Sequence, residues 1–152
     1  MMHLLLSCLL LFFSANTPRQ EIDLGYQRIA NAFKSKSVEA LLKENFRWRN
    51  DDGSFPSSDE VKRVWSTNLS AIKKYSAVQF EVTQVNLQKD SATVTATRTM
   101  FFVYEGSDEE QIEVVKVRDL WVRENDHWHL ESHVTHTSQN SSYITSPPVP
   151  LP

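Results

Sequence analysis

The spacing of apolar residues along the chain changes once. Ile22, Tyr26, Ile29 and Phe33 recur at helical intervals and predict an amphipathic helix that starts near Pro18. Ser37 is placed to cap a short second helix through Val38, Leu41 and Leu42, after which Phe46-Arg47-Trp48-Arg49 alternates as a short strand would. The polar run Asn50-Asp51-Asp52-Gly53 turns the chain. Ser57 and Glu60 form a capping-box pattern ahead of Val61, Val64, Trp65, Leu69 and Ile72, which predicts a long third helix ending near Tyr75.

Beyond Tyr75 the period becomes two. Val94, Ala96, Arg98, Met100 and Phe102 share one strand face, and Thr93, Thr95, Thr97 and Thr99 share the other. A hairpin turn at Asn125-Asp126 sets Trp121 against Leu130, Asp119 against Ser132 and Val117 against Val134, so the apolar faces coincide. Closing the preceding hairpin around Gly106 with the same test sets Phe102 against Val115, Met100 against Val117 and Arg98 against Asp119. Between Ala77 and Gln88 the apolar parity switches, as a β-bulge near Thr83-Gln84 would make it do. Three helices followed by four strands predict an α+β fold, a curled antiparallel sheet wrapped as a cone around the N-terminal helices.

The two ends read differently. Leu4 to Phe13 is an apolar run of signal-peptide length followed by small and polar residues, so residues 1–17 are expected to be an export signal, and the protein secreted or periplasmic. The run is too short to span a membrane. Residues 138–152 are Ser/Asn/Thr-rich and end in a proline-rich segment, expected to be a disordered tail, which leaves 18–137 as the domain. With 152 residues, one core is the natural outcome.

Composition removes several function classes. Three glycines, Gly25, Gly53 and Gly106, are too far apart to build a phosphate-cradling loop. The lone Cys8 supplies neither a disulfide nor a zinc-finger ligand set. A net charge of -3 gives no basic surplus for a nucleic-acid backbone. No cofactor is implied.

In the order of its elements the chain resembles the nuclear transport factor 2-like superfamily, which includes SnoaL-like polyketide cyclases, ketosteroid isomerases and scytalone dehydratase. The resemblance spans roughly Gln20 to Thr137. It is carried by the segment Phe46 to Gly53 before the long helix and by the ending Asp119-Leu120-Trp121 to His127-Trp128-His129-Leu130. It implies a cone with a pocket between helices and concave sheet, and often a dimer through the convex face. Here that face would carry the four threonines with Val114, Leu120 and Val122, so a homodimer is expected. No particular reaction follows, because the fold hosts enzymes and binding modules alike.

The registers place Arg98, Asp119 and Ser132 in one row on the concave wall, with Trp121 a step away. Asp119 and the inward-pointing His136 are the candidates for proton transfer, since a desolvated carboxylate or an imidazole can exchange a proton near neutral pH. Tyr26, Trp48, Trp65, Arg98, Met100, Trp121 and Ser132 are the candidate ligand contacts, on a small apolar ligand. An arginine beside Asp119 favours the ionised carboxylate, which weighs toward a binding module over an isomerase, cyclase or dehydratase-type enzyme; an asparagine or histidine beside Asp119 would weigh the other way. His127, His129, Glu131 and His133 share the opposite face, where a polar surface is the simpler reading than a metal site.

Overall fold

A computed structural model describes residues 16–136. The expected export signal and tail therefore lie almost wholly outside the described residues.

Three helices precede four strands: α1 (Pro18–Lys34), α2 (Val38–Lys43), α3 (Ser58–Ser70), β1 (Ile72–Leu87), β2 (Ser91–Tyr104), β3 (Glu110–Glu124) and β4 (His127–His136). The strands form one antiparallel sheet in sequence order, the curled α+β arrangement expected. Thr17 starts α1 with a reciprocal capping box to Gln20 and Pro18 fills its first turn, so the orphan amides there are satisfied. Ser37 and Ser57 cap α2 and α3 by accepting from the third amide on. Ile22, Ile29 and Phe33 of α1 are fully buried against the concave face, each contributing about 1.5–3 kcal/mol by leaving water.

One close approach fixes how α1 sits on the sheet. A β-carbon at Gly25 would lie 2.3 Å from Cη2 of Trp121, a fully buried indole, so only glycine lets the helix meet β3 at this depth.

The hairpin between β3 and β4 has the expected turn, with Asn125 and Asp126 both at positive φ as a type I′ turn requires. The bulge at Thr83 is present as a register shift between Val82 and Gln84. Four expectations are corrected. First, α3 stops at Ser70 and Tyr75 belongs to β1. That strand is bulged near Lys73 and Ser76, which puts Ile72, Tyr75 and Val78 on the inner face three residues apart and imitates a helical stripe. Second, residues 46–50 form no strand; Phe46 is buried, and the Arg47 carbonyl takes one bond from the His133 amide at 3.0 Å.

Third, β2 and β3 are slid four residues from the expected register. Phe102 faces Gln111, Met100 faces Glu113, Arg98 faces Val115, and the residue opposite Asp119 is Val94. An even slip keeps every side chain on its face, so matching apolar faces could not distinguish the two pairings. The actual one runs the ladder out to Val103 and Glu110, leaving a short loop around Gly106, whose φ of 78° suits glycine.

Fourth, β4 follows the expected pairing only from Glu124 and His127 to Trp121 and Leu130. Beyond that a bulge absorbs Glu131, so Ser132 faces Leu120 and His133 faces Asp119. The inner face of β4 therefore reads Trp128, Leu130, His133, and the histidine assigned to the outer surface is buried inside.

Candidate functional site

Inside the sheet a single chain of polar side chains runs between the helices and three strands. The Tyr26 hydroxyl on α1 donates to Asp119 Oδ2 at 2.6 Å and accepts from the Trp121 indole N–H at 3.3 Å. The other carboxylate oxygen of Asp119, Oδ1, meets His133 Nδ1 at 2.8 Å. His133 Nε2 meets Arg98 Nη1 at 3.0 Å, and Arg98 Nη2 donates to Glu113 Oε2 at 3.2 Å. An arginine only donates, so His133 Nε2 must accept; the ring carries its proton on Nδ1 and gives it to Asp119. His133 is thereby held neutral in one tautomer, with the Phe46 ring 4.4 Å from its own.

Arg98 and Asp119 are therefore not direct partners. Both are buried on the concave wall as expected, but His133 stands between them. Burial, reinforced by the charge of Asp119, pushes the Tyr26 hydroxyl far above the usual tyrosine range, so it acts only as a neutral donor to the carboxylate.

At the Arg98 end the chain opens on a cavity of about 300 Å³. Its wall is made by Phe33 of α1, Trp65 of α3, Tyr75 of β1, Phe102 of β2 and Glu113 of β3, with Arg98 among them. Met100 lines it too. Trp65 is fixed there by an indole N–H bond to the Phe46 carbonyl at 3.0 Å. Tyr75 is half-buried, and its hydroxyl is pushed up to about 12, chiefly by desolvation.

Of the ligand contacts expected from the sequence, Trp65, Arg98 and Met100 come together on this wall. Tyr26 and Trp121 lie deeper, in the polar chain and the core. Ser132 is buried opposite Leu120 and leaves the row assigned to it. Trp48 is half-buried over its own loop, with its indole bonded to Asn50 at 3.1 Å, and does not line this wall. The His136 backbone pairs with Lys116, and its side chain lies outside the described part of the structure. His133 and Glu113 are the additions. Glu113 shares the inward parity of Val115, Val117 and Asp119, a signal present in the sequence; His133 is hidden by the bulge.

Among the described residues no three histidine, cysteine or acidic side chains converge on a point where a metal ion would sit. Two other hollows, about 170 Å³ beside Arg47 and an open groove of about 640 Å³ beside His127 and His129, do not reach the polar chain; a third, an open groove of about 390 Å³ between α1 and β1, meets it only at the Tyr26 ring, which is 3% exposed.

No protein-family model and no curated protein matches the chain. Solved structures do. A putative dehydratase of the NTF2-like family from Streptomyces avermitilis superposes with a TM-score of 0.55 at 19% identity, over 77% of this chain and 95% of that one. The chain has the NTF2-like fold. An NTF2-like protein from Cytophaga hutchinsonii gives a TM-score of 0.58 at 13% identity, over 79% and 98% of the two chains. A protein from Novosphingobium aromaticivorans, provisionally assigned as a scytalone dehydratase, gives 0.60 at 10% identity, over 83% and 88%. At these identities the NTF2-like likeness is one of fold, and what the site does is argued from its own geometry.

Proposed function

We propose that this NTF2-like domain binds a small, largely aromatic molecule in the cavity beside Arg98, with the guanidinium as its polar anchor. The observation that carries the reading is a cation only 7% exposed on a wall rich in aromatic rings, held in one orientation by the chain His133, Asp119 and Tyr26. Pockets of this kind gain affinity from apolar area and orientation from a few fixed polar groups. Binding is favoured over proton-transfer catalysis because both oxygens of Asp119 are already engaged and Arg98, protonated at every working pH, stands between the cavity and His133. Trp65 supplies the assay: titration with one- and two-ring aromatics quenches its fluorescence, and Arg98→Met weakens that binding. A full panel without saturable quenching would sink the reading.

A second reading rests on the histidine beside Asp119. If a ligand draws Arg98 aside, His133 Nε2 becomes a base oriented by a carboxylate, the arrangement used in isomerase, cyclase and dehydratase-type chemistry. Some solved structures of this fold carry provisional dehydratase assignments, which is compatible with it. Turnover that His133→Gln abolishes while leaving ligand affinity intact would establish it.

The outer face supports a further part of the proposal, a homodimer. Val114 is 42% exposed there, beside the half-buried Thr97 and Thr99. Sedimentation in the micromolar range is expected to give a dimer. Export through the Leu4 to Phe13 run is proposed with it, and the intact mass of secreted protein is the check.

A further inference from the structure

We infer that the ligand of this cavity carries a carboxylate, and that it binds by displacing Glu113 from Arg98; the inference rests on the binding reading above and names its ligand class. A guanidinium offers a side-on edge made of Nε–H and the neighbouring Nη2–H, spaced to grip the two oxygens of one carboxylate. In Arg98 that edge is half used. Nη2 donates to Glu113 Oε2 at 3.2 Å, whereas Nε is buried and has no partner among the described residues. The end of the guanidinium is committed elsewhere, through Nη1 to His133, so the side edge keeps a fixed aim.

An unpaired buried N–H on a charged group is expensive to maintain, and a second oxygen on the same edge removes the penalty. Glu113 is poorly placed to supply it. It comes from β3 opposite Met100, two residues from the position facing Arg98, and its side chain is 29% exposed against 9% for that of Arg98. It therefore behaves as a rim carboxylate that can turn into water, while Arg98 cannot follow. The charge of Arg98 is then met by the ligand: its carboxylate takes the place on the side edge that Glu113 leaves when it turns into water. A neutral ligand would have to leave the Arg98–Glu113 pair in place and fill only the aromatic part of the wall, Phe33, Trp65 and Phe102.

The test compares 2-naphthoate with 2-naphthol, which share the ring system and differ in the anionic group. Naphthoate is expected to bind the wild-type protein on the order of tenfold more tightly, the scale of one charge-assisted bidentate contact. Glu113→Gln weakens the competitor without emptying the position, and should strengthen naphthoate binding several-fold, more than it changes naphthol binding. Arg98→Met should remove the preference for naphthoate. If naphthol binds as tightly as naphthoate, or Glu113→Gln leaves naphthoate affinity unaltered, the carboxylate inference is overturned and the aromatic cavity reading stands. If neither compound binds, both fall. Glu113→Gln alters a partly exposed side chain and is expected to fold, so the inference stays testable even if Arg98→Met does not.

Discussion

The two ends of the buried polar chain are built from similar groups and behave in opposite ways. At the Asp119 end each carboxylate oxygen has a donor, the Tyr26 hydroxyl is engaged twice, and Trp121 closes the space under Gly25. At the Arg98 end one N–H is unpaired, the acidic partner is partly in solvent, and a cavity begins. Buried polar groups that are fully paired specify and rigidify a core; those left partly paired are where a ligand can be recognised. The polar chain thus joins a structural end to a responsive one, with His133 transmitting orientation from the first to the second.

The comparison breaks most visibly at Asp119. Asp119→Ala removes the acceptor of both Tyr26 and His133, and two orphaned buried donors at about 1–3 kcal/mol each lead to an expected loss of about 3 to 5 kcal/mol. Urea unfolding measures it; a loss under about 1 kcal/mol would mean that the sealed end is not sealed. Gly25→Ala comes next. The added carbon would sit 2.3 Å and 2.6 Å from two atoms of the Trp121 ring, an overpacking whose penalty exceeds the helix-propensity gain, for a net loss of about 1 to 2 kcal/mol. Near-ultraviolet circular dichroism should report the displaced indole.

Third is Arg98→Met. A direct Arg98–Asp119 pair, as the sequence suggested, would make this change strand a buried carboxylate. With His133 interposed, Asp119 keeps both donors and Glu113 rehydrates, so the expected loss is only about 1 kcal/mol, from the single acceptor on His133 Nε2. Ligand affinity should fall far more than stability. A loss as large as that of Asp119→Ala would erase the distinction between the two ends.

How much of this could be read from residues alone follows the regularity of the strands. In β2 buried and half-buried positions alternate from Ala92 to Phe102, so the two-residue rule alone puts Arg98 and Met100 on the concave face. What alternation could not fix was the slide against β3, because a four-residue slip preserves both faces. In β1 and β4 the bulges defeat the two-residue rule itself. Ile72, Tyr75 and Val78 step by three and mimic a further turn of α3; Leu130 and His133 step by three, which conceals the residue that connects Asp119 to Arg98. Asp119 is legible because a carboxylate amid Val117 and Trp121 is conspicuous, whereas its partner depends on a three-dimensional irregularity that no local pattern announces.

The smallest expected effect distinguishes the two ends by their tyrosines. Tyr75, at the cavity, has its hydroxyl raised to about 12, first by burial, with Arg98 opposing and Glu113 adding to the shift. Unfolding returns it to the ordinary value near 10. The neutral form is therefore favoured by folding: its contribution is complete below about pH 10 and fades as pH rises toward 12. Because Tyr75 is only half-buried, solvent screening keeps the contribution below about 1 kcal/mol. Tyr75→Phe should flatten the fall in stability across that interval by this small amount. Tyr26, raised further and only 3% exposed, should not ionise until the protein unfolds. An occupant of the cavity should then shift the ultraviolet titration of Tyr75 and leave that of Tyr26 tied to unfolding. If Tyr26→Phe and Tyr75→Phe flatten the same interval equally, the cavity end is as closed as the Asp119 end, and the division of labour along the polar chain fails.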